Sequence, residues 1–201
     1  MNTISNLQDD YILEDERALL RPLKQEDFAN VLPISLNEPD MWKYSLLNAT
    51  GEEGLKNYIN IALQAKETGK EYPFIVFDKK TNKYAGSTRF YDINLPYKTL
   101  QLGYTWYGKE FQGTGLNKHC KFLLLSFAFE KLGIERVEFR ADNNNERSIA
   151  AMKSIGCKVE GVLRNHQPTR DEGIRRDSII LSIIKDEWFS EAKENLAKKL
   201  V

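Results

Sequence analysis

The sequence predicts an α/β fold: one domain on a mixed, mostly antiparallel sheet of about seven strands, flanked by helices. Three observations carry this. Stretches of period-two alternation and stretches of helical spacing follow one another in the order β-α-α-β-β-β-α-β-α-β-β-α. Adjacent strands are mostly joined by short turns, which makes them antiparallel, whereas one pair is separated by a long apolar helix, which makes a parallel step. The 201 residues, 41% hydrophobic and 29% charged, suit one core, with no repeat, low-complexity segment or linker. The whole chain, 1–201, reads as this domain: a core over about 17–188, an N-terminal extension 1–16 and a closing helix 185–200.

Arg17-Ala-Leu-Leu-Arg21 reads as the first strand, interrupted by Pro22, and Phe28, Val31 and Leu32 then recur at helical spacing. Thr50-Gly-Glu-Glu53 has the form of a capping box ahead of Leu55, Tyr58, Ile59 and Ala62, and Gly69 stops that helix. Pro73–Phe77 and Tyr84–Ile93 pair as a hairpin across Asp78-Lys-Lys-Thr-Asn82. In the next strand Leu100, Leu102, Tyr104 and Trp106 alternate with Thr99, Gln101, Gly103 and Thr105, which predicts one continuous core face. Two apolar stripes from Leu116 to Phe129 predict a helix buried on more than one side. A strand through Val137 and Phe139, a short helix from Asn145 to Ile155 ended by Gly156, strands Cys157–Arg164 and Arg175–Ile184, and a charged helix from Lys185 to Leu200 complete the order.

Charge and composition exclude several function classes. Twenty-nine basic residues balance 29 acidic ones, so a general nucleic-acid binder is not expected and any anion site must be local. Cys120 and Cys157 form no C-x-x-C or Cys/His cluster, so no metal site is expected and a reduced, cytoplasmic setting is. The N-terminal residues lack the basic and apolar regions of a signal peptide, and the apolar run Phe122–Phe129 is too short to span a bilayer, so no membrane association is expected.

The chemistry concentrates in Phe111-Gln-Gly-Thr-Gly-Leu-Asn117, between a strand and a helix. Small residues let a ligand approach the backbone, unpaired N–H groups point at it and the helix dipole favours negative charge; a phosphate is the natural occupant. A bare G-x-G also serves as a simple tight turn, so the flanking elements matter. The third glycine of a Rossmann loop and the Gly-Lys-Ser/Thr of a P-loop are both missing.

Gln112-Gly-Thr-Gly-Leu-Asn117 resembles the Q/R-x-x-G-x-G/A acetyl-CoA loop of the GCN5-related N-acetyltransferases, with Asn117 where glycine or alanine is usual. Asn145-Glu-Arg-Ser148 resembles that family's N-x-x-S helix. Glu160-Gly-Val-Leu-Arg164, Arg175-Arg-Asp177 and Glu187-Trp188 resemble the branch of ribosomal-protein N-terminal acetyltransferases.

The resemblance implies acetyl-CoA as co-substrate, no metal, and direct transfer of an acetyl group to a primary amine, either a protein N-terminus or a small molecule. It implies that the backbone of Gln112, Gly113, Thr114, Gly115, Leu116 and Asn117 holds the pyrophosphate. Trp106 and Tyr107 would line the pantetheine and thioester, in a V between two strands opened around Trp106 and Arg140. Asn145 is a cofactor contact by family position and a helix N-cap by its residue type.

Many relatives carry a tyrosine where this chain has Met152, so Ser148 is the expected proton donor. His166, in a polar loop Arg164-Asn-His-Gln167 that could act as a lid, is the expected base. His119, at the start of the phosphate-loop helix, suits a structural or cofactor-contact role. The loss of that tyrosine also leaves open a non-catalytic coenzyme A-binding or acyl-sensing module. The acceptor and the oligomeric state are not encoded in any motif.

Overall fold

The computed structural model describes residue 7, residues 9–169 and residues 173–200. A two-residue strand, β1 (Leu13–Glu14), precedes the expected first strand, β2 (Ala18–Pro22), and pairs with it. This brings the strand number to eight; two residues are too few to leave a periodic signal. Helix α1 (Asp27–Asn37) and a 3₁₀ turn at Pro39–Trp42 lead to α2 (Gly51–Glu67). Leu55, Tyr58, Ile59 and Ala62 are its buried face, and Gly69 ends the segment at φ +70°. The capping box does not form: Thr50 is the N-cap residue, but its side chain makes no cap hydrogen bond.

Strands β3 (Tyr72–Asp78), β4 (Lys83–Asn94) and β5 (Thr99–Tyr107) form an antiparallel meander. Helix α3 (Leu116–Ser126) runs on through a π turn at Phe127–Lys131 into β6 (Arg136–Asp142), which lies parallel to β5. Then come α4 (Glu146–Ser154), the hairpin β7 (Lys158–Pro168) and β8 (Arg175–Ile184), and a closing helix made of α5 (Lys185–Glu187), a π turn at Trp188–Ala192 and α6 (Lys193–Ala197). The sheet order is β1-β2-β3-β4-β5-β6-β8-β7, and among the described residues β5 with β6 is the single parallel pair.

Both faces of the sheet are covered. Residues of α3 such as Leu116, Cys120 and Leu124 pack with Leu100, Leu102, Phe139 and Trp188 on one side. Leu55, Tyr58 and Ile59 of α2 pack with Trp42, Ile75 and Trp106 on the other.

The expected single core face of β5 breaks at Tyr104. That residue has φ +48°, and the register passes from Arg89↔Gly103 to Ser87↔Trp106, so β5 spends three steps where β4 spends two. The extra residue is a β-bulge and reverses the alternation. Leu100 and Leu102 face α3, whereas Trp106 joins the α2 side and Tyr107 the α3 side.

The region Arg164-Asn-His-Gln167 is strand, not a loop or lid. β7 continues to Pro168 and pairs Gln167 and Pro168 with Arg176 and Arg175. Asn165, at φ +52°, absorbs a bulge between Leu163 and Gln167. The polar side chains that suggested a loop belong to an exposed hairpin, where period-two hydrophobicity is not required.

Candidate active site

Strands β5 and β6 are paired only at Thr99↔Arg136, Leu100↔Val137 and Gln101↔Glu138. Both continue, to Tyr107 and Asp142, without a further ladder, and the resulting V opens a cleft of about 1010 Å³. Trp106 and Arg140, where the V was expected, both line it. An opened strand edge presents unpaired backbone groups that an extended, amide-bearing ligand can bond.

At the mouth of the V lies the glycine loop. Lys109–Phe111 forms a 3₁₀ turn, Gly113 and Gly115 take φ +76° and +92°, and α3 starts at Leu116 with Gly115 as its N-cap. These positive φ values are why glycine stands at both positions. The N–H of Gln112 donates to the Lys109 carbonyl and that of Lys118 to the Gly115 carbonyl, at 3.1 and 2.8 Å. Between them, the N–H groups of Gly113, Thr114, Gly115, Leu116 and Asn117 meet no acceptor among the described residues. The first turn of α3 holds no acidic residue, and Lys109 and Lys118 line the cleft beside it. Oriented donors, a helix N-terminus and two ammonium groups thus come together here, an arrangement whose electrostatics favour an anion.

Side chains fix this loop from behind. The Gln112 amide donates to the Tyr107 carbonyl at 2.6 Å, and the Thr114 hydroxyl to the Phe111 carbonyl at 2.7 Å. Arg17 reaches the Thr114 carbonyl and hydroxyl at 3.5 and 3.4 Å, while its Nε donates to Asp78 at 2.6 Å. Leu116 is fully buried in the core. Gln112, Gly113, Gly115 and Asn117 line the cleft, whereas Thr114 and Leu116, whose side chains are engaged behind the loop, do not.

The remaining expected residues separate. Trp106 and Tyr107 line the cleft, Trp106 with its ring 5.0 Å from that of Trp42 and 6.1 Å from that of Tyr58. Asn145 lines the cleft as the N-cap of α4, its side-chain oxygen accepting the Ser148 N–H at 3.1 Å. Ser148 and Met152 also line it, about one turn apart on α4. His166 does not; its neighbour Gln167 does. Burial and the positive charges of Arg140, Arg176 and Arg175 lower the His166 pKa, which leaves the ring neutral at pH 7. Its protonation state suits a base, but its position on β7 does not bring it to the cleft. His119 is buried, with Nδ1 2.8 Å from an Asp15 carboxylate oxygen, which is a structural role.

Three cleft features were missed. Glu71 lies just before β3, and Arg89, fully buried between the rings of Tyr58 and Tyr104 at 4.6 and 4.2 Å, donates to it at 2.6 Å. Asp92 accepts from the Gln101 amide at 2.8 Å. Lys121 of α3 is 5% exposed and lines the cleft. The last had a signal: a helix apolar on more than one side has to bury the lysine within it.

Residues 17–158 match the family model described as an acetyltransferase (GNAT) domain. The uncharacterized N-acetyltransferase p20 of Bacillus licheniformis is 25% identical over 177 residues, 88% of this chain and 97% of that protein. A GCN5-related N-acetyltransferase from Brucella melitensis superposes with a TM-score of 0.87 at 21% identity, over 98% of this chain and 88% of that one. The ribosomal-protein-S5-alanine acetyltransferase of Vibrio fischeri superposes with a TM-score of 0.72 at 21% identity, over 89% and 99% of the two chains. With a family model spanning most of the chain and the same fold in these structures, this protein belongs to the GNAT family and is an acetyltransferase.

Proposed function

We propose that the protein transfers the acetyl group of acetyl-CoA to a primary amine, by direct attack within a ternary complex. The observation that carries this is the run of five free N–H groups, Gly113–Asn117, at the mouth of a cleft whose wall is an unpaired strand edge. A pyrophosphate fits the first and an amide-bearing pantetheine the second. Asn117, in place of the usual small residue, contributes its N–H like the others.

The acceptor reaches the thioester from the α2 side. Trp42, Tyr58 and Tyr104 offer aromatic faces there, and Glu71 and Asp92 supply carboxylates. These groups suit a cationic amine, which must shed its proton before attack. An amine of a small molecule and the N-terminus of a protein share this chemistry. The ribosomal-protein acetyltransferase among the similar folds keeps the second acceptor in view. Ser148, close to the N-cap of α4, is assigned to the leaving side, donating a hydrogen bond to sulfur as charge grows there. His166 has no part in this arrangement.

Thiol release from acetyl-CoA, measured across a panel of polyamines, amino compounds and peptides with free N-termini, tests the reading. Amine-dependent release of free coenzyme A supports it. Tight acetyl-CoA binding with no turnover on any amine would favour the acyl-sensing module instead.

A further inference from the structure

Lys121 lies one helical turn beyond Asn117, on the side of α3 that faces the opened part of β5. Its Nζ donates to the Thr105 hydroxyl at 2.8 Å and lies 3.5 Å from the Thr88 hydroxyl; the two hydroxyls are 2.7 Å apart. Thr105 belongs to the stretch of β5 that has no β6 partner. Among the described residues no carboxylate forms an ion pair with this ammonium; its partners are the two hydroxyls. A lysine buried without a counter-ion costs stability, and methionine would fill the same space without that cost. Its place in the wall of the cleft calls for a use there.

Transfer leaves a negative sulfur that must be protonated. Among the groups here, Cys120 and Cys157 are pushed up to about 12 by burial, and burial raises the buried Tyr107 well above its ordinary range, so all three hold their protons at neutral pH. Burial pushes Lys121 the other way, down to about 8, close to the ordinary range of a thiol. Cys120 on α3 and Cys157 between α4 and β7 are the titratable groups coupled to Nζ, and both stay protonated and uncharged at neutral pH. β4 and β5 present the threonine hydroxyls. Arg140 and Asp142 from β6 and Arg147 from α4 reach the same cleft without pairing with Nζ.

We propose that Lys121 is the acid of the acetyl transfer, its ammonium lying beneath the thioester and protonating the departing sulfur. This rests on the acetyl-CoA reading above. The amine nitrogen forms the new C–N bond and releases its proton to water. The carbon–sulfur bond breaks with its electron pair on sulfur, a proton passes from Nζ to that sulfur to give free coenzyme A, and the neutral lysine regains a proton from water.

The test uses Lys121→Met, of similar length, with Lys121→Gln as a second variant that keeps the same readings should the first fail to fold. Because the acid form is required, wild-type turnover at saturating acetyl-CoA and amine falls as pH rises through about 8. Lys121→Met is expected to lower turnover about tenfold or more and to abolish that alkaline limb, with acetyl-CoA affinity by calorimetry changed less than about threefold.

A second readout needs no turnover. The thiol of bound coenzyme A, followed by its thiolate absorbance, should ionise at lower pH in the wild type than in either variant, since a neighbouring ammonium favours the thiolate. Full turnover, a persisting alkaline limb, or an unmoved thiol titration in variants that still bind coenzyme A would overturn the proposal. Absence of acetyl-CoA binding by the wild type is a different result, and it would bring down the acetyl-CoA reading and this proposal together.

Discussion

Asn145 shows how one side chain meets two demands. Its oxygen caps α4, which any helix start asks of an asparagine, and the same cap sets Ser148 on the first turn where it lines the cleft. The residue type made the cap legible, and the motif around it made the cleft legible. What could not be read was which side chains meet across elements: Glu71, Arg89 and Tyr104 come from three separate segments and no spacing links them. His166 illustrates the converse, since a titratable side chain in a polar stretch looks functional until the strand pairing shows where it lies. At this scale Ser148→Ala tests the leaving side. A hydrogen bond that strengthens as sulfur gains charge acts on the transition state, so turnover should fall about three- to tenfold while acetyl-CoA affinity holds. Steady-state kinetics with calorimetry checks this, and an equal loss in both would make the serine a ground-state contact.

Among the elements, β5 decides the most. Its alternation was legible over Thr99–Leu102, and the bulge at Tyr104 was not, because Tyr104 carries no sequence mark of a positive φ. Gly86 on β4 does carry a mark of close approach: a Cβ there would stand 2.0 Å from the Trp106 carbonyl oxygen, at φ +152°. The glycine lets β4 close on β5 just past the bulge, which holds Trp106 toward Trp42 and Tyr58. Gly86→Ala should therefore cost stability of about 1–3 kcal/mol, as overpacking does. It should also impair turnover beyond the fraction unfolded, because Thr105 and Trp106 must shift together. Denaturant melts beside activity at a temperature where both proteins are folded separate the two effects; an unchanged melt and unchanged rate would refute the packing account.

For the molecule as a whole, the order of helices and of strands from β2 onward, the parallel step and the positive-φ turn at Gly113 and Gly115 were legible, since each rests on local periodicity or on glycine placement. The depth of the V was not, because it is set by where β5 and β6 stop pairing, between a core of α3 and α4 residues on one face of the sheet and one of α2 and Trp42 on the other, and no local pattern marks that point. Arg17 then ties the loop to the sheet, from Asp78 on β3 to Thr114. A chain with equal numbers of acidic and basic residues thereby concentrates oriented N–H groups at one point. The central claim is that this point holds the pyrophosphate of coenzyme A, and Asn117→Asp tests it with opposed signs. The first turn of α3 has no acidic residue, so an aspartate there should leave folding stability equal or raise it by about 0.3–1 kcal/mol through favourable dipole interaction, seen as an equal or higher melting temperature. The same carboxylate would stand against the pyrophosphate and weaken coenzyme A binding about tenfold or more, about 1.4 kcal/mol. Calorimetric titration of coenzyme A into both proteins is the measurement: lost affinity in an equally stable variant is the predicted result, and undiminished affinity would contradict it.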